Sequence, residues 1–384
     1  MLRGVIFAAT LLLSVPALAG DAPYTVAPHL FDVSRPDDLG LKPAAGTQTI
    51  TIYSPTAGGE TYVNGVVLFG FKNKLYAQWQ TSQKDEDSTD THVVYAVSED
   101  GLHWSAPRIL ADVGKTIRTS GGWGSDGKIL TAYINIWNSD FHTGGRAFAI
   151  TSEDGEHWSK PKPVTGADGK PIDGVIEQDP HSLPNGRILA AFHLQPGVKL
   201  APYYTDDRSG LTGWVRGKMA NLPHEGLAKE NLESRELEPS FFLRPDGCAV
   251  LVMRDQADSF RQLASQSCDG GRSWTTPVLT AMPDSRAKQS AGNLSDGTAF
   301  LVNAPSGTKL RSPLALSLSK DGTHFDRAIL LRAGPPPEIH FPGLYKRPGY
   351  HYPKSLVWRD ALYVGYASGK EVVEMSRIPL SALR

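Results

Sequence analysis

Six residues able to do chemistry sit at matched places along this chain: Asn64, Arg118, Glu177, Glu238, Lys288 and Tyr352. Each lies nine residues before one residue of a short turn, namely Asn73, Gly127, Gly186, Gly247, Gly297 and Ala361. Seven residues after the turn come Gln80, His193 and Arg254, with Trp79 and Asn303 one place earlier. His92, Arg146, Arg261 and Arg311 open the stretches that follow, and His351 precedes Tyr352. Gathered on one face, such a set is rich in arginine and lysine with embedded carboxylates and a tyrosine. An arginine offers a two-pronged fork to a carboxylate. A tyrosine becomes nucleophilic only beside a carboxylate base and positive charge. Burying that many polar groups is costly unless something binds among them.

The elements that would gather them follow from an internal repeat. Ser98–Trp104 (SEDGLHW), Ser152–Trp158 (SEDGEHW), Ser267–Trp274 (SCDGGRSW) and Ser319–Phe325 (SKDGTHF) are copies of one motif. Thr205-Asp206-Asp207 with Trp214 is a worn copy. The copies start 54, 53, 62 and 52 residues apart, a period of the kind that solenoids and propellers show. Each unit reads as a strand, a turn, a second strand, a third strand ending at the motif, and a fourth. The turns, such as Pro184-Asn185-Gly186 and Pro245-Asp246-Gly247, join apolar runs as hairpins do.

Six units begin near residues 64, 116, 175, 236, 286 and 350. The last has three strands, and Thr47–Tyr53 alternates as a spare one. The expected fold is therefore all-β, a six-bladed propeller in one domain over 47–384. The N-terminal strand is expected to complete the last blade, close the ring and remove a free sheet edge. Seven blades is the alternative, with residues 20–46 contributing more than an extended surface arm. In a propeller the innermost strands run side by side around a channel, so their first residues line one mouth. The ends of the second strands return to the same face.

The motif, followed by Ser/Thr-x-Pro at Trp104–Pro107, Trp158–Pro161 and Trp274–Pro277, resembles the Asp-box of the sialidase superfamily. There the box is a hairpin turn between the third and fourth strands of a blade, so Asp100, Asp154, Asp269 and Asp321 are expected to be structural. Part of the channel set also resembles the sialidase centre. Glu238-Pro239-Ser240 followed by Arg254 resembles the family's Glu and Arg across an Asp-Gly turn. Arg311 resembles the Arg before the last box, and Tyr352-Pro353-Lys354-Ser355 the segment of the catalytic tyrosine. The resemblance implies a Tyr352 nucleophile paired with Glu238, and arginines that hold a sugar carboxylate. The acid of the family lies in the loop before the first box, where Asp85, Glu86, Asp87 and Asp90 stand; Asp90 is expected to fill that role. The family's first arginine has no counterpart near Asn64.

The expected function is an exo-acting glycoside hydrolase on an acidic sugar. Tyr352, Glu238, His193 and Asp90 are its candidate catalytic residues. Arg118, Arg254, Arg311, Lys288, Glu177, Asn64, Trp79 and His351 are candidates for substrate binding. The layout, Lys84–Asp87 (KDED) and Tyr366–Leu380 also resemble sialidase-fold proteins acting on rhamnose linked to glucuronic acid. That likeness implies a lyase as the alternative, and a non-catalytic glycan-binding propeller is a third reading.

Lys and Arg number 39 against 40 Asp and Glu, a net charge of −1, which points away from nucleic acid. The first 19 residues read as a secretory signal peptide cleaved after Ala19 or Gly20, so a secreted or periplasmic location is expected. No later apolar run is long enough for a membrane span. Cys248 and Cys268 fall opposite each other across a hairpin, as a disulfide or as two buried thiols. No metal-ligand spacing and no cofactor motif is present; a structural Ca²⁺ stays open. A monomer acting on an acidic oligosaccharide or polysaccharide is expected.

Overall fold

The computed structural model describes residues 21–56, 58–111, 116–138, 144–177, 180–223 and 233–384. The expected signal peptide lies outside them. Six antiparallel sheets follow one another along the chain. Blade 1 consists of Tyr62–Phe71, Lys74–Ser82, His92–Ser98 and Arg108–Ile109. Blade 2 is Arg118–Ser125, Leu130–Ile136, Arg146–Ser152 and Lys162–Pro163. Blade 3 is Gly174–Ile176, Ile188–Leu194, Lys199–Thr205 and Val215–Arg216, with His181–Ser182 also paired to its second strand. Blade 4 is Glu236–Leu243, Ala249–Asp255, Arg261–Ser267 and Val278–Pro283. Blade 5 is Ser290–Asn293, Ala299–Asn303, Leu314–Ser319 and Arg327–Arg332. Blade 6 is Tyr350–Trp358, Ala361–Ser368, Val372–Pro379 and Gln48–Tyr53.

Gln48–Tyr53 does pair with Val372–Pro379, with Gln48 opposite Arg377 and Ile50 opposite Met375. The expectation of closure is nevertheless corrected, because among the described residues no sheet is closed. Every blade runs from a channel-side strand to an outer strand with a free edge. Adding Gln48–Tyr53 exchanges one outer edge for another, and the new edge is itself largely exposed. The ring is instead held by contacts between blades. The Trp123 indole N–H donates to Val67 O at 3.0 Å, the Gln289 amide to Glu238 O at 2.9 Å, and Val63 N–H to Lys370 O at 2.9 Å.

The repeated boxes are turns, as their chemistry requires. Asp100 Oδ1 accepts the backbone N–H groups of Leu102 and His103 at 2.8 Å, while Ser98 Oγ accepts that of Gly101. Gly101 stands at φ 77°, where a side chain is strained. The same set recurs at Asp154. The box aromatics pack between blades: Trp158 lies 5.5 Å from Tyr95 of blade 1, and Trp274 shares a core with Leu189 and Ala191 of blade 3.

The segment before the propeller is more than a surface arm. Tyr24, Phe31 and Leu39 enter the core shared by blades 4 and 5. Thr25–Val26 pairs in parallel with His324–Phe325. Cys248 and Cys268 form a disulfide across the second hairpin of blade 4, with Cα atoms 4.1 Å apart. Among the described residues no helix is long and apolar enough to cross a membrane, and no cluster of three His, Cys, Asp or Glu could hold a metal ion.

Candidate active site

Local backbone irregularity builds the site. The innermost strands of blades 1, 2, 4 and 6 each slip register near the channel mouth, between Asn64 and Val67, Ser120 and Gly122, Leu237 and Ser240, and His351 and Lys354. In blades 1 and 2 glycines take the left-handed conformation there, Gly65 at φ 65° and Gly122 at φ 93°. In blades 4 and 6 the strained residues are Glu238 (φ 52°) and Tyr352 (φ 55°). A side chain in that region costs about 1–3 kcal/mol, and such strain gathers at functional sites. Here both strained residues line one cavity of about 630 Å³ at the channel mouth.

The Tyr352 hydroxyl faces the Glu238 carboxylate, near enough for each to shift the other's ionisation. Arg254 Nη1 donates to Glu238 Oε2 at 3.1 Å. Burial alone would raise the Glu238 pKa; Arg254 and then Lys288 overcome it and bring it down to about 2. Tyr352 moves the other way. Burial, reinforced by Glu238 and Glu86, pushes it well above 10, although Arg311 and Arg254 oppose. At neutral pH the pair is thus a neutral phenol beside a carboxylate.

Behind the pair lies a second layer. Glu238 N–H donates to His193 Nε2 at 3.3 Å, and His193 Nδ1 lies 3.0 Å from Glu177 Oε1. These partners place the histidine proton on Nδ1. Lys288 Nζ reaches Glu177 Oε2 at 2.5 Å. Burial would raise the Glu177 pKa, but Lys288 and His193 hold it far below the usual carboxylate range. Arg311 Nη1 donates to His351 Nδ1 at 2.8 Å, and His351 Nε2–H donates to Arg347 O at 2.8 Å. Burial and the Arg311 charge keep His351 neutral.

Seven of the twelve candidate catalytic and substrate-binding residues line the cavity: Tyr352, Glu238, Arg254, Arg311, Lys288, Glu177 and His193. Five do not. Trp79 is 1% exposed and packs in the core shared by blades 1 and 6. Strand alternation accounts for this, because the next residue, Gln80, points to the channel instead. Asn64 is fully buried and donates to Glu86 Oε1 at 3.3 Å. Arg118 bonds Thr116 O at 3.2 Å, while its neighbours Thr119 and Ser120 face the cavity. His351 backs Arg311. Asp90 accepts Gln83 N–H at 2.9 Å and braces its own loop; Asp87, three residues earlier, lines the cavity. Burial, then the neighbouring Glu86, raises the Asp87 pKa. His92, bonded to Glu60, and Arg146, bonded to Asp173, lie outside the cavity too.

Among the lining residues, Arg347 and Lys370 have no part in the site as read from the sequence, and Glu86 and Asp87 enter it only as alternatives to Asp90 for the acid. Glu86 and Asp87 stand in the acidic run Lys84–Asp87, visible but without a register to choose among its members. Arg347 comes from the aperiodic stretch between blades 5 and 6. Lys370 sits in the last hairpin turn at φ 59°.

Residues 73–364 match the model of the BNR repeat-like domain. The chain belongs to that family. No curated protein matches it. Among solved structures it is similar to a sialidase at 21% identity and TM-score 0.59, over 94% of this chain and 35% of that one. A Hadza microbial sialidase is similar at 14% identity and TM-score 0.66, over 84% and 66% of the two chains. The intramolecular trans-sialidase from Ruminococcus gnavus is similar at 14% identity and TM-score 0.64, over 90% and 99%. The BNR chain thus spans about a third of the first sialidase's length and 66% of the second's. At these identities the likeness is one of fold, a sialidase-like propeller.

Proposed function

We propose that this BNR protein is an exo-acting glycoside hydrolase that removes a terminal acidic sugar from a glycan outside the cytoplasm. One observation carries the reading: the Tyr352 phenol stands beside a buried carboxylate, Glu238, inside a cavity ringed by Arg254, Arg311 and Lys288. A sugar whose carboxylate lies beside the reacting carbon repels an anionic nucleophile. A neutral phenol avoids that repulsion until Glu238 takes its proton in the transition state. Glu238, with its pKa near 2, stays ionised and ready to accept. Arg311 has no carboxylate partner among the described residues, so the sugar carboxylate is its natural counter-ion. Asp87, partly solvated and with a raised pKa, is placed to protonate the leaving oxygen.

The test is incubation with sialylated glycans and with rhamnose–glucuronate polysaccharides, followed by reducing-end and ultraviolet absorbance assays. Release of a saturated acidic sugar, lost in Tyr352→Phe, is expected. Growth of the absorbance of a double bond conjugated to a carboxylate would show elimination at a uronate instead. Binding without any product would leave a glycan-binding propeller.

A further inference from the structure

Three cationic groups surround the Tyr352 ring. Lys288 Nζ lies 5.3 Å from the ring centroid, Arg311 Cζ 5.5 Å and Lys370 Nζ 5.8 Å. Their attachments differ. Lys288 belongs to the layer beneath, on Glu177. Arg311 gives one N–H to His351, and its Nε–H has no hydrogen-bond partner. Lys370 is 3% exposed and ion-paired with Glu86. An ammonium carries three N–H donors, so one bond to Glu86 leaves donors beside the cavity that Lys370 lines.

Two blades fix this lysine. Its carbonyl accepts Val63 N–H at 2.9 Å, which ties the last turn of blade 6 to blade 1. Glu86 is held in turn by Asn64. Lys370 also shares its left-handed backbone with Glu238, Tyr345 and Tyr352, and all four line the one cavity. A buried ion pair is a poor source of stability, because apolar residues of similar volume often serve as well. Burial holds the Lys370 pKa below the ordinary lysine value even though Glu86 raises it, so a second carboxylate beside it is favourable.

We infer that Lys370 is a substrate-binding residue, its ammonium and the Arg311 guanidinium together holding the carboxylate of an acidic sugar beside Tyr352. The inference rests on the acidic-sugar reading above. Arg311 supplies directed bonds and Lys370 a compact charge. Glu86 shares that charge and so sets how strongly the acid is held.

The test is titration calorimetry in the Tyr352→Phe background, which separates binding from turnover. N-acetylneuraminic acid, glucuronic acid and the carboxyl-reduced form of each are the probes. Replacing the buried pair together, Lys370→Met with Glu86→Gln, avoids leaving one charge alone. Affinity for the acid that binds is expected to fall about 10- to 100-fold, with its reduced form unaffected. Glu86→Gln alone leaves the ammonium unshared and is expected to tighten the acid. Unchanged acid affinity in the double replacement, weaker or unaltered acid binding in Glu86→Gln, or no acid binding to the background protein would each overturn the inference. Acid binding that depends on Lys370, in a protein that releases no sugar from any glycan, would uphold it and overturn the glycosidase reading.

Discussion

The carboxylates of the box turns and those of the channel share one property and owe it to opposite causes. Asp100 and Asp154 are held far below the ordinary aspartate range by backbone N–H groups of His103 and His157, then by the side chains of the same residues. They sit in water at the edge of the ring. Glu177 and Glu238 are also depressed, yet burial opposes it, and Lys288 and Arg254 are needed to overcome that cost. A low pKa therefore does not mark a functional site in this fold. Turn amides spend all their hydrogen bonds on the aspartate, whereas a lysine or guanidinium keeps donors for a ligand. That separates the repeated acid from the useful one.

The contrast can be broken from either side. The largest effect is expected for Tyr352→Phe, which removes only the hydroxyl that meets Glu238. Turnover should fall at least about 10³-fold with an unchanged thermal midpoint; retained turnover would remove the channel pair from catalysis. Asp87→Asn comes next. The free acid donates only when protonated, so the rate should decline as pH rises through the raised Asp87 pKa. In Asp87→Asn that decline should vanish and the rate drop about 10²-fold or more. Glycosides of good leaving groups such as nitrophenol should recover most of it.

Trp79→Ala sharpens the distinction between core and cavity. Urea unfolding should show a loss of about 3–5 kcal/mol, while the Michaelis constant of the folded fraction stays where it was. A raised Michaelis constant would return Trp79 to the substrate.

The smallest effect belongs to Asp154→Ala, read as a lower thermal midpoint with normal kcat/KM. Its pH dependence has a fixed sign. A carboxylate whose pKa is lowered by folding contributes stability above its unfolded value, and loses it as pH falls towards the folded one. The difference in midpoint from the unsubstituted protein should therefore shrink below about pH 4.

Register carried much of the site. Counting from each turn reached Glu177, Glu238, Lys288 and Tyr352, because each inner strand returns to the same mouth, where Leu237 lies opposite Arg254 and His351 opposite Ala367. The count landed one or two residues short in blade 2, at Arg118 rather than Thr119 and Ser120. In blade 1 the count reached Gln80, which lines the cavity, whereas the candidate Trp79, one place earlier, faces the core, since a single-residue offset reverses a side chain. Asp87 and Lys370 come from loops with no period, where only the packing of blade 1 against blade 6 selects among neighbours. The arm before the propeller misled for a related reason. Its lone Tyr24, Phe31 and Leu39 follow no pattern, yet a gap between blades 4 and 5 receives them.

By itself the sequence determined the repeated box, the four-stranded unit, the number of units and the pairing of Gln48–Tyr53 with the last of them. These depend on turn chemistry and alternation, which act over a few residues and leave a period in the chain. Only the tertiary structure decided that the sheets stay open and the ring is held between blades. It alone joined Glu86 to Lys370 and Arg311 to His351. Those partners lie up to 284 residues apart. Their meeting depends on how six blades pack around one channel, which no local spacing records.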